Sequence, residues 1–352
     1  MERLDSPGTS QGRWASRLFG WELDRLSLAI VGAFALLNLC ELRLLQLLQG
    51  DLLAVHATIA ESVVTRHAYW RAFQNRLLGP HLVEQAALLT GSTFDAAYLA
   101  LTQSFLVLAN VLCFVFVRRL TRSSRAAFLA VVAFAGLFIA VQDVKWLYIW
   151  DFIDLIVFLV FVQAVVTEAR ARAFVYLFFI ELLSREAAQF IALWLVLSAY
   201  EPDARRWMER LRWPRAVLGT ALLLLGAWWT SYIRARLFIT SMEPAIGDDL
   251  EHLANGEHLQ LGDNLGRLLF PHRTDIAVSV AMFWLLGWVL RRCWRLKLRW
   301  AKPLVLLGAA MMASTVLFGV INETRIYISF IPFIVILGVV SRRAPLEAAR
   351  VG

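Results

Sequence analysis

The sequence predicts an all-α polytopic membrane bundle of about ten transmembrane spans. Three observations carry that prediction. Hydrophobic residues make up 59% of the 352, the mean hydropathy is +0.62, and long apolar runs alternate with short charged loops. A soluble core cannot hide so much apolar surface, so the bilayer is the expected solvent for one transmembrane domain covering residues 1–352.

The first run, Leu26 to Leu48, is too long for the apolar stretch of a cleavable signal and reads as a retained anchor. Further apolar runs are Tyr98 to Val117, Ala126 to Gln142, Phe152 to Val166, Ala216 to Phe238, Ile276 to Leu290, Pro303 to Ile321 and Ile326 to Val340. Several fall short of the ~20 residues that cross a bilayer core, which a bundle tolerates where protein surrounds the helix. Ala173 to Tyr200 is interrupted by Ser184-Arg185-Glu186 and reads as two short helices that go out and return. A single crossing would put Arg205, Arg206, Arg210, Arg212 and Arg215 on the outer side, against the preference of basic residues for the cytoplasm.

With that assignment both termini are cytoplasmic. Residues 118–125, 167–172, 201–215 and 291–302 become cytoplasmic basic loops, and 49–97 and 239–275 become the outer loops. The inner segments hold most of the 35 Lys and Arg and a minority of the 27 Asp and Glu. A multi-pass protein of a cell's inner (cytoplasmic) membrane is the expectation. The pI near 9.9 reflects these orientation signals and gives no reason to invoke nucleic acid. Cys40, Cys113 and Cys293 have no paired spacing and read as apolar fillers. His252 and His258 lack metal-site spacing, and no Walker A, GxGxxG, GxSxG or EF-hand string occurs.

Ionisable residues against apolar helices are costly and mark a function or a partner. They gather on the outer side. Asp51 follows the first span, and QDVKWLYIWDFIDL carries Asp143, Lys145, Asp151 and Asp154. Asp151 and Asp154, three apart on a helix, share a face; Asp151 also suits the cap of the fourth span. Arg185 and Glu186 diverge on one helix and need other partners, which Glu323 and Arg325 of NETRIY could supply. In the first outer loop, read as an interfacial amphipathic helix with a break at Gly79-Pro80, Arg71 and Arg76 read either as phosphate ligands or as arginines snorkelling to head groups.

The span count, the acid after the first span, the polar first outer loop and the broken helix pair resemble the integral membrane glycosyltransferases of the GT-C superfamily. RAFQNRLLGP, WDFIDL, SREAAQF and NETRIY are similar to strings in uncharacterised bacterial members. The resemblance implies a polyprenyl-phosphate-linked sugar as donor, with membrane lipids around it, and leaves protein partners unnamed. It implies Asp51 as catalytic base with Asp154 second, and Arg71, Arg76, Arg185, Glu186, Glu323 and Arg325 as substrate or phosphate ligands. No metal ligand set is assigned; a divalent cation, Mg or Mn, is the alternative neutraliser of the leaving phosphate. The usual paired acidic motif is reduced here to Gly50-Asp51, and the large soluble C-terminal domain of many members is absent from this sequence. A lipid or solute transporter, or a non-catalytic component of a cell-envelope assembly machine, are the competing classes.

The orientation is testable by labelling. In intact cells Glu257→Cys reacts with an impermeant thiol reagent and Met208→Cys does not; the opposite pattern inverts the topology.

Overall fold

The computed structural model describes residues 25–50, 52–65, 76–142, 147–200, 211–236, 259–269, 275–296, 298–319, 321 and 323–342. Among them the fold is all-helical. In chain order the helices are α1 (Arg25–Gln49), α2 (Leu52–Thr65), α3 (Leu78–Thr90), α4 (Phe94–Thr121), α5 (Ser124–Ala140), α6 (Ile149–Val166), α7 (Ala171–Leu182) and α8 (Ala188–Leu197). There follow α9 (Trp213–Arg236), α10 (Leu261–Leu269), α11 (Asp275–Trp294), α12 (Ala301–Phe318), a 3₁₀ turn (Thr324–Tyr327) and α13 (Phe330–Arg342).

Among the described residues six helices are long and apolar enough to cross a membrane: α1, α4, α6, α9, α11 and α12. Helices α5, α7, α8 and α13 occupy the other four runs expected to span and are shorter, 17 residues in α5, 12 in α7 and 10 in α8. At 1.5 Å per residue, 10 residues give about 15 Å, half a bilayer core.

Helix α6 is the hub. Within its span 83% of the residues are buried, against 17% in α1, so α6 sits inside the bundle and α1 at its rim. Its composition explains this: past Asp151 and Asp154 in its first turns, IWDFIDLIVFLVFVQAVV is apolar all round save for Gln163. Phe158 and Phe161 pack against Phe333 of α13, and Phe161 also meets Phe174 and Trp194. Helix α7 follows through a short turn and runs back along α6. Being 12 residues long, it climbs only to the level of Asp154, so the α7–α8 break lies about one turn inside the N-terminal end of α6. Helix α9 then packs closely on α8, because a side chain at Gly219 would meet the Val196 nitrogen at 2.8 Å and the Ala192 carbonyl at 3.0 Å.

A second, smaller cluster caps the end of the bundle where α6 begins. It joins Ala57, Ile59, Ala60 and Val63 of α2, Val83 of α3, Ala97 and Tyr98 of α4, and Tyr148, Ile149 and Trp150 at the start of α6. The Gly79-Pro80 pair, read as a break, instead lies in the first turn of α3, where proline's missing N–H costs nothing. Glycine is required there by close approach, since a Cβ at position 79 would stand 2.7 Å from Ile149 Cγ2. Among its described residues the segment expected to form the first outer loop thus holds two helices, α2 and α3, rather than one. The Leu78 N–H donates to the Leu183 carbonyl at 2.8 Å, tying α3 to the orphaned end of α7.

Candidate functional site

The seam between the main core and the smaller cluster carries the charged residues. Helix α6 begins there, and its first turn sets the geometry. The Tyr148 N–H donates to Asp151 Oδ2 at 2.9 Å, so Asp151 closes the N-terminus of α6. One turn on, Asp154 projects from the same face. Both are buried, Asp151 wholly and Asp154 to 1% exposure.

Two bare carboxylates in that position would be prohibitive, and Arg185 answers them. Its Nη1 lies 3.1 Å from Asp151 Oδ1 and 3.1 Å from Asp154 Oδ2, a bridge across 34 and 31 residues of sequence. The α7–α8 break makes this reach possible. Arg185 occupies the non-helical position between the two helices, and Ser184, also buried, is 3.5 Å from the Trp150 carbonyl. Glu181, on the last turn of α7 and fully buried, brings a third carboxyl beside Asp154.

Arg325 comes from the far end of the chain. It pairs with Glu323 and lies 3.7 Å from Asp151 Oδ2. Its loop is fixed at several points: Thr324 Oγ1 donates to the Val141 carbonyl at 2.7 Å, and Tyr327 OH donates to the Ile321 carbonyl at 3.0 Å. The Ile321 N–H in turn donates to Asn264 Oδ1, whose Nδ2 donates to the Val316 and Gly319 carbonyls. Helix α10 is thereby held to the C-terminal end of α12.

Arg76 comes from the segment just before α3. Its guanidinium stands 5.2 Å from the Trp150 ring centre, and that of Arg325 stands 5.1 Å from the Tyr148 ring centre. The two rings stack at 4.4 Å, and His56 of α2 packs on Tyr148 at 4.7 Å. Burial and the neighbouring Arg185 cation lower the Arg76 pKa to about 10, which leaves it charged at neutral pH.

Three arginines therefore converge with five carboxylates at one end of the bundle, drawn from four distant chain regions. Arg185 at 15% and Glu323 at 24% are partly exposed, as is Glu186, while Asp151, Asp154 and Glu181 are enclosed. Of the residues singled out from sequence, Asp154, Arg76, Arg185, Glu186, Glu323 and Arg325 belong to it, together with Asp151. Glu186 sits in the break, half-buried, with its charge acting on Arg76 and Arg185. Asp51 and Arg71 lie outside the described residues, as do Asp143, Lys145, His252 and His258.

Two expectations change. Arg185 takes Asp151 and Asp154 as partners rather than Glu323, which pairs with Arg325. Sequence reasoning also passed over Glu181; the signal was an acid inside an apolar run, ARAFVYLFFIEL. Among the described residues no three of His, Cys, Asp and Glu form a metal-binding group. Asp151 and Asp154 are both turned to Arg185, so these residues do not fit Mg or Mn.

Comparison of the chain with protein-family profiles, with curated proteins and with solved structures gives no match.

Arg185→Ala leaves two buried carboxylates without their shared cation and is expected to cost about 3–5 kcal/mol. Thermal unfolding in detergent checks this. Adding Asp154→Asn to Arg185→Ala recovers part of the loss, and absence of any recovery contradicts the bridge.

Proposed function

We propose that the protein is an integral membrane glycosyltransferase of the GT-C type, moving a sugar from a polyprenyl-phosphate carrier to an acceptor at the extracytoplasmic face of the inner membrane. The observation that supports this is the gathering of Arg76, Arg185 and Arg325 at one end of a lipid-embedded bundle. Guanidinium groups are suited to a phosphate oxyanion because they offer paired, planar donors. A site at the end of the spans receives a substrate whose long apolar tail stays in the bilayer, so its reacting end arrives already oriented. In this reading α5, α7, α8 and α13 complete the ten crossings together with the six longer helices.

The acceptor hydroxyl attacks the anomeric carbon while its proton passes to a carboxylate. The bond from that carbon to the phosphate oxygen breaks, and the polyprenyl phosphate leaves with the bonding pair, its charge held by the guanidinium groups. Asp51 is the base in this scheme, by resemblance. Asp154 is enclosed beside Arg185 and Glu181, and its geometry suits holding Arg185 in place.

A solute carrier is the second reading, favoured by a polar group within the spans. Glu41 of α1 accepts from Asn110 Nδ2 of α4 at 2.6 Å, with Asn38 beside them, all buried. Transporters place ionisable groups at such depths.

Asp51→Asn is expected to lower sugar transfer from polyprenyl-phosphate donors by about 10²–10⁴-fold, the share typical of a general base, with an unchanged thermal midpoint. Full transfer activity in that variant rules Asp51 out as base.

A further inference from the structure

At the opposite, arginine-rich end, α1 and α4 part. They meet at the Asn38–Glu41–Asn110 cluster and, one turn on, at the Phe34–Phe114 ring contact of 5.7 Å. Beyond that lies a groove of about 280 Å³, lined by Ile30, Val31, Phe34, Val111, Phe114, Val115 and Ser124. It is close to the lower bound of the ~300–1,000 Å³ usual for ligand sites, and its walls are almost wholly apolar.

The mouth of this groove is basic. Val111, Val115 and Arg118 follow one another at helical spacing, so the α4 face that lines the groove runs on into an arginine, and Arg122 follows as the residue that ends the helix. Arg122 and Arg125 flank the groove-lining Ser124, and both are exposed. The α4–α5 turn that presents them is rigid. Thr121 Oγ1 accepts from the Ser123 N–H, and Ser123 Oγ accepts from the Ala126 N–H and caps α5. Arg122 itself adopts φ 56°, a left-handed conformation in which glycine is the unstrained choice. An arginine is kept where glycine would relieve the backbone.

We propose that this groove holds one acyl chain of an anionic glycerophospholipid, with the lipid phosphate engaged by Arg122 and Arg125. A lipid chain gains little hydrophobic free energy in passing from bilayer to groove, since both are apolar. Discrimination therefore falls to the head group, and arginines at a membrane surface favour an anionic one. By the distribution of basic loops this site faces the cytoplasmic leaflet, so it is separate from the outer cluster and independent of the glycosyltransferase reading.

The test is native mass spectrometry of the full chain in mild detergent, supplied with equal amounts of phosphatidylglycerol, phosphatidylcholine and a polyprenyl phosphate. One phosphatidylglycerol is retained over phosphatidylcholine by roughly thirtyfold, the preference two surface arginines supply. Arg122→Gly/Arg125→Gln abolishes that preference while keeping or raising the thermal midpoint, because the left-handed strain is relieved. Val31→Trp, at a groove-lining position 48% exposed, loses the retained lipid. Equal retention of the two phospholipids overturns the proposal, as does unchanged selectivity in the double variant or a retained lipid in Val31→Trp. Polyprenyl phosphate that takes the place of the phosphatidylglycerol and is lost in Val31→Trp, or a chain dimer that excludes lipid, overturns it as well.

Discussion

Arg185 bridging Asp151 and Asp154 is the contact on which the arrangement of the charged end of the bundle depends. Helix α6 is the most enclosed of the candidate spans and still starts with two carboxylates on its inward face. Removing such charges from water costs several kcal/mol per ion, which only close cations and hydrogen bonds offset. The cation cannot come from α6, whose remaining residues are apolar or amide. It comes from a neighbouring helix pair broken at the right height, which accounts for the Ser184–Glu186 interruption and for the shortness of α7 and α8.

Once α6 is fixed, the rest of the cluster follows. The Tyr148–Trp150 stack just outside Asp151 gives Arg76 and Arg325 a π-face each. The close approach at Gly79 brings α3, and Arg76 just before it, against α6. The bonds from Thr324 to Val141 and from Asn264 to Ile321 hold the last loop so that Arg325 reaches Asp151. A structural ion pair and a phosphate site use the same guanidinium groups, and the second reading draws on their number, their convergence and their position at the end of the spans.

Much of this was legible in the sequence. Six of the expected spans emerge as helices of crossing length, because long apolar runs have no other stable state in lipid. The break in Ala173 to Tyr200 was legible because a charged triplet interrupts a run with no other polar residue but Glu181 and Gln189 before Ser198. The shared face of Asp151 and Asp154 followed from their spacing. Partner choice was not legible: Arg185 and Glu323 looked complementary, yet distance in space, set by α7 antiparallel to α6, gave Arg185 to the aspartates. Glu41 lay in plain view inside the first span, but its meaning required Asn110, 69 residues away. Gly79-Pro80 was ambiguous because the same pair ends one helix and begins another.

The most direct test of the proposed function is the identity of any lipid that the arginine and carboxylate cluster retains. The protein is purified in mild detergent, its lipids are extracted, and the extract is analysed by liquid chromatography and mass spectrometry beside that of an Arg76→Ala/Arg325→Ala variant. The account predicts a polyprenyl phosphate or its glycoside with the unaltered protein and its loss from the variant. Bulk phospholipid alone, in equal amounts from both, contradicts it.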